Sequence, residues 1–158
     1  MTEIRAYRPE DDPRIVELSL AAWEPVFDSF RAVMGDALFR RVHGDWREHQ
    51  AASVRDALER NDTWIAVDGD TVHGFVNVAF TAEERSGEIY MIAVDPAAQR
   101  QGVASMLTGF ALDEMRARGL DLAIVATGGD PGHMPARKTY EKAGFTGVPQ
   151  VWYVKQLN

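Results

Sequence analysis

The chain contains no cysteine. Disulfide frameworks, cysteine-based zinc sites and a thiol nucleophile are therefore excluded. No apolar run approaches the ~20 residues needed to span a bilayer, so no membrane partner is expected. The opening MTEIRAYRPEDD has neither a basic n-region nor an apolar h-region, so no secretory leader is expected and the location expected is cytoplasmic. Basic charge is also scarce: 17 Lys and Arg stand against 24 Asp and Glu, a net charge of −7. A nucleic-acid binder normally needs a basic face, so DNA and RNA are not expected partners. An acidic surface suits an acceptor that carries positive charge, although it also serves solubility. The four histidines, His43, His49, His73 and His133, are scattered without metal-ligand spacing. Asp68-Gly69-Asp70 is turn chemistry and not a calcium loop, so no metal is expected. Repeats and low-complexity stretches are absent.

What is present fits one domain over residues 1–158, with 46% hydrophobic residues, enough to bury a core. Ile4–Tyr7 reads as a first strand. Asp11 and Asp12 then cap a helix that tolerates Pro13 in its first turn and carries Ile15, Leu18 and Ala22 at helical spacing. Residues 24–60 lack strand alternation and fit two or three amphipathic helices broken near Gly35 and Gly44. Thr63–Val67 and Val72–Phe80 read as a hairpin across Asp68-Gly69-Asp70-Thr71. A strand is expected at 87–94 and a helix from about Arg100 to Arg118, closed by Gly119. Leu120–Ala126 has the look of a buried parallel strand. A helix with Pro135 in its first turn ends before Gly144, and Phe145–Val148 and Val151–Leu157 read as final strands. The order predicts an α/β (α+β) fold, a mixed central sheet flanked by helices, β-α-α-β-β-β-α-β-α-β-β. The unit 87–126 is expected to be a right-handed parallel crossover.

The most informative stretch is GEIYMIAVDPAAQRQGVA, residues 87–104. A strand enters a small-residue loop that opens a helix. The amides of Gln101, Gly102, Val103, Ala104 and Ser105 then fall in a first turn that has no intrahelical acceptors, a setting for a diphosphate. Gly102 and Ala104 allow close backbone approach, and Arg100 adds a cation at the rim.

Gln99-Arg100-Gln101-Gly102-Val103-Ala104 resembles the Q/R-x-x-G-x-G/A acyl-CoA loop of the GNAT acetyltransferase superfamily. Residues 133–145, HMPARKTYEKAGF, resemble that family's N-x-x-A-x-x-x-Y-x-x-x-G-F stretch through Ala136, Tyr140, Gly144 and Phe145, with His133 where the family usually has Asn. An imidazole can donate one hydrogen bond there, and the preceding Gly128-Gly129-Asp130-Pro131-Gly132 loop offers backbone groups as substitutes. The element order resembles the family fold over essentially the whole chain. The resemblance implies acetyl-CoA as cosubstrate, held by Ile92, Ala93 and Val94 of the motif strand, the 99–105 loop, His133 and Ala136. It implies Tyr140 as the acid that protonates the leaving thiolate. Glu88 aligns with the catalytic glutamate of the histone-acetylating branch and is the base so implied, unless a water chain serves.

The function expected is transfer of acetyl to a small-molecule or peptide amine by direct attack in a ternary complex. The alternative is a non-catalytic acyl-CoA-binding regulatory module. In this fold order the segment 24–60 crosses the open side of the cleft. Trp23, Phe27, Phe30 and Trp46 can serve as core, or one or two can line an acceptor pocket in which Glu24 or Asp28 attracts the ammonium. Many relatives pair as homodimers.

Overall fold

The computed structural model describes all 158 residues. The sheet holds five strands in spatial order β1-β2-β3-β4-β5: Glu3–Ala6, Asp62–Asp68, Thr71–Thr81, Ser86–Val94 and Leu122–Val125. The first four are antiparallel neighbours; β4 and β5 are parallel. The helices are α1 (Asp12–Met34), α2 (Asp36–His43), α3 (Trp46–Arg60), α4 (Val103–Ala117) and α5 (Met134–Lys142). No helix is long and apolar enough to cross a membrane.

Local chemistry sets the boundaries. Gly35 (φ +79°) ends α1, and its N–H donates to the Arg31 carbonyl at 2.9 Å. α1 runs on through Pro25 for 23 residues and ends where the break near Gly35 is expected. Its buried stripe of Ile15, Leu18, Ser19 and Val26 shows why: packing on the sheet holds the helix together where propensity would stop it. Ile15 and Leu18 of that stripe meet Val54 and Leu58 of α3 and Ile65, Val67, Phe75 and Ala93 of the sheet in one apolar layer. The other face of the sheet packs Val76, Val78, Ile89 and Val94 against Val103, Leu107, Ala111 and Met115 of α4. Each fully buried aliphatic or aromatic side chain in these layers contributes roughly 1.5–3 kcal/mol.

Two features of β4 position the site. Its pairing with β5 covers only Ser86–Ile89 against Leu122–Val125, so Tyr90–Val94 run free on that edge. The β3–β4 register also steps from Asn77↔Met91 to Val78↔Ile89, leaving Tyr90 with no residue opposite. This β-bulge inserts one residue and reverses the side-chain phase. Ile92 and Val94 therefore join Ile89 on the α4 face, while Met91 and Ala93 pack on the α1–α3 face. Unbroken alternation would put Glu88, Tyr90, Ile92 and Val94 on one face; the bulge overturns that expectation.

The C-terminal portion also departs from expectation. β5 is four residues long and forms the sheet edge, with Leu122 and Ile124 exposed at 52% and 40%, so it is not a buried strand. The final strands expected at Phe145–Val148 and Val151–Leu157 do not form. Val148, Val151, Trp152, Tyr153 and Leu157 are exposed. A strand is stable only in a ladder, and Gly147 and Pro149, the latter without an N–H, interrupt this segment. Trp152 lies instead beside His43, with ring centroids 6.4 Å apart.

Candidate active site

The loop between β4 and α4 is built for close approach. Asp95 accepts from the Ala97 N–H at 2.8 Å and caps a short 3-10 turn, Pro96–Ala98. Arg100 (φ +61°) and Gly102 (φ +83°) both take left-handed conformations. For Arg100 that conformation is strained, a cost that binding sites often carry. For Gly102 it is natural, and nothing lies within 4 Å of where a Cβ would stand. These residues delay the start of α4 to Val103, three residues later than periodicity alone places it. Gly102 is the N-cap and has no side-chain cap. The first helical bond near it is Met106 N–H to Gly102 carbonyl at 3.0 Å. The amides of Val103, Ala104 and Ser105 thus belong to a first turn without intrahelical acceptors, at the positive end of the α4 dipole.

That loop forms one end of a cavity of about 560 Å³. The free edge of β4, including Ile92, Ala93 and Val94, forms one wall. Gln99, Arg100, Gly102, Val103, Ala104 and Ser105 form the end, and His133, Ala136 and Tyr140 of the α5 region face them. Thr127, just beyond β5, and Trp23, Pro25 and Val26 of α1 complete the walls. Unpaired strand groups beside a groove call for an extended partner that carries amides, and free first-turn N–H groups call for an anion. A long ligand with amide groups along its arm and phosphate at one end fits both demands.

Tyr140 is 8% exposed and its ring meets Phe145 edge-on at 6.0 Å. Burial pushes its hydroxyl up to about 12, so at neutral pH it stays protonated. Gln101 is exposed, its side-chain amide donating to the Ala97 carbonyl at 3.2 Å, and it does not line the cavity. Glu88 is half-buried between Ala79 and Ile124, one residue before the lining begins at Ile89.

The acceptor residues expected on α1 stand elsewhere. Glu24 is exposed and ion-paired to Arg47 at 2.5 Å, and Asp28 is exposed. Phe27 stacks on Trp46 with centroids 4.2 Å apart and lines a smaller hollow of about 220 Å³ with Phe30 and His43. The Nε2 of His43 is buried without a partner, and burial lowers the pKa of that imidazole. Of the four aromatic residues, only Trp23 reaches the main cleft.

Two residues joined to His133 carry no sequence signal of their own. Ser29 of α1 donates to Asp130 at 2.7 Å, and Asp130 Oδ1 is bonded to His133 Nδ1. Asp130 sits in the Gly-rich loop, which reads as a turn; Ser29 matches no motif.

The model of the acetyltransferase (GNAT) family matches residues 23–145. Mycothiol acetyltransferase of Beutenbergia cavernae is 46% identical over 121 residues, 71% of this chain. The match covers 40% of that relative, so the chain spans less than half its length. Among solved structures, the ribosomal-protein-S18-alanine N-acetyltransferase of Escherichia coli superimposes with TM-score 0.68 at 18% identity, over 94% of this chain and 80% of that one. The PaiA N-acetyltransferase of Thermoplasma acidophilum, in complex with coenzyme A, superimposes with TM-score 0.68 at 16% identity, over 92% and 90%. At such identities the superpositions speak for the fold alone.

Proposed function

Because the chain belongs to the GNAT acetyltransferase family, we propose that it moves acetyl from acetyl-CoA to an amine by direct attack in a ternary complex. Acetyl-CoA supplies the activated acyl thioester. The observation that carries this reading is the free edge of β4 opening directly onto the uncapped N-terminus of α4. In the proposal Val103, Ala104 and Ser105 hold the diphosphate through backbone N–H groups, with Arg100 at the rim. The main chain of Ile92, Ala93 and Val94 pairs with the pantetheine amides. Gln99 braces the wall, its side-chain amide donating to the Val94 carbonyl at 3.3 Å.

Tyr140 donates its proton to the departing thiolate. Its place in the wall of the same cleft favours catalysis over a purely regulatory binding module. The acceptor enters beside Trp23 and Val26. Two groups are candidates to take its proton: Glu88, acting through water from outside the lining, and His133, inside it.

The name of the Beutenbergia relative makes a mycothiol-related amine the first acceptor to test, ahead of aminoglycosides, polyamines and short peptides. A homodimer and a cytoplasmic location belong to the same proposal. Thiol release from acetyl-CoA over that amine panel is the experiment. Acceptor-dependent release supports the enzyme; tight acetyl-CoA binding with no release on any amine supports the regulatory module.

A further inference from the structure

Asp130 is the hub of a hydrogen-bonded cluster that joins three parts of the chain. Its Oδ2 accepts from the Ser29 hydroxyl at 2.7 Å and from the Gly132 N–H at 3.1 Å. The same N–H also reaches Ser29 Oγ at 3.0 Å. Its Oδ1 is bonded to His133 Nδ1. Gly132 makes this approach possible, since a Cβ there would stand 2.7 Å from Ser29 Cβ. Arg137 fastens the loop from behind, donating to the carbonyls of Gly128 and Asp130 at 2.6 and 2.7 Å. The Asp130 and His133 side chains are only 11% and 15% exposed.

Burial alone would raise the Asp130 carboxyl, but the hydrogen bonds from Ser29 and His133 outweigh it and hold the group below the usual carboxylate range. A carboxylate facing Nδ1 requires the proton on Nδ1, which leaves the ring's lone pair on Nε2. Nε2 has no protein partner and is not buried away from solvent, and His133 lines the cleft. His133 is the N-cap residue that precedes α5, Tyr140 lies near the far end of that helix, and both line the cleft.

We propose that His133 is the catalytic base, taking a proton from the incoming ammonium through Nε2, with Asp130 as its positioning residue. This rests on the acetyltransferase reading and assigns a role that reading left open. The ammonium gives one proton to Nε2. The freed amine nitrogen bonds to the thioester carbonyl carbon, the carbon–sulfur bond breaks, and Tyr140 gives its proton to the sulfur. The second proton of the attacking nitrogen replaces the one Tyr140 gave, and His133 releases the first to solvent. An amide, a thiol and one proton result.

The ionisable groups around His133 are few. Asp130 comes from its own loop, and Tyr140 and Arg137 come from α5. The cleft lining adds only Tyr90 of β4 and Arg100 of the loop. The α1 wall contributes no titratable side chain, and Asp28 beside Ser29 is exposed.

The test needs two readouts on the whole chain. Nitrogen NMR of the histidine rings, with His133→Asn to assign the signal, should show the Nδ1–H tautomer for His133. Asp130→Asn should shift that signal toward Nε2–H. This result does not depend on the acceptor, and an Nε2–H tautomer in the wild type overturns the proposal. Thiol release is then followed with spermidine and glycinamide as probe amines. His133→Asn should lower turnover about 100-fold at neutral pH, the size expected for a lost general base, and recover as free amine accumulates at high pH. Calorimetry should show its acetyl-CoA affinity unchanged, because Asn is the family's own residue there. Undiminished turnover, or an equal loss at every pH that tracks acetyl-CoA affinity, overturns the base role. So does Glu88→Gln taking the whole pH-dependent loss. Failure of the wild type to bind acetyl-CoA would overturn the acetyltransferase reading itself, and this proposal with it.

Discussion

Ser29 and Asp130 lie 101 positions apart in the chain and are joined by a 2.7 Å hydrogen bond, hydroxyl donating to carboxylate. The bond ties the C-terminal half of α1 to the loop that enters α5, so two walls of the cleft are fixed to each other. Ser29→Ala removes the donor and leaves a largely buried carboxylate one partner short. We expect a loss of about 1.5–3 kcal/mol in stability, the usual range for a hydrogen bond to a charged group. Urea unfolding checks it; an unchanged midpoint would show that the tie contributes nothing.

Gly102→Glu places a side chain and a negative charge where the diphosphate is proposed to sit, on a backbone at φ +83° that disfavours any side chain. Acetyl-CoA should stabilise the wild type against heat by mass action and fail to stabilise this variant. Calorimetry showing equal affinity in both would remove the 99–105 loop from the site.

Tyr140→Phe keeps the ring and its edge contact with Phe145 and removes the acidic hydroxyl. Turnover should fall about 10- to 1000-fold with acetyl-CoA affinity unchanged. Equal turnover would make Tyr140 a packing residue alone.

Alkaline pH should destabilise the fold through the same residue. An unfolded tyrosine titrates near 10.0, while burial pushes folded Tyr140 up to about 12. Tyr7 is raised to a similar value, by burial first and then by its bond to Asp12. Between these values the folded state holds more protons than the unfolded state, so stability falls as pH rises through that window. Tyr140→Phe should flatten part of the decline. Asp11 acts at the opposite end: the Arg5 hydrogen bond holds its carboxyl down, so its contribution is present at neutral pH and lost on acidification. Thermal melts across pH test both limbs; a level alkaline limb would refute the Tyr140 assignment.

Glu24→Gln breaks an exposed ion pair with Arg47 and should change stability by less than about 0.5 kcal/mol. Trp23→Ala, by contrast, opens the cleft wall and should raise the acceptor Michaelis constant without altering acetyl-CoA affinity. If Glu24→Gln or Asp28→Asn instead raises that constant and Trp23→Ala does not, the acceptor approaches from the α1–α3 side.

The primary structure determines a good deal here. Period-two runs and the Asp-Gly turn place β1 to β4, the glycines at 35, 44, 119 and 144 end or separate the helices, and the Gln99–Ala104 and Ala136–Phe145 patterns mark two walls of one cleft. These are local matters: φ freedom, capping and side-chain period act within a few residues. The tertiary structure decided what depends on partners far along the chain. Packing on the sheet carries α1 through Pro25, and the bulge at Tyr90 reverses the phase of β4, separating Glu88 from the face of Ile92 and Val94. The residues from 145 onward find no ladder to join, so their strand-like composition produces no strand. Only when α1 crosses the loop before α5 does Ser29 meet Asp130 and fix His133 in the cleft. A hydrogen bond between residues 29 and 130 leaves no trace in local spacing, because neither residue's own backbone preference requires the other.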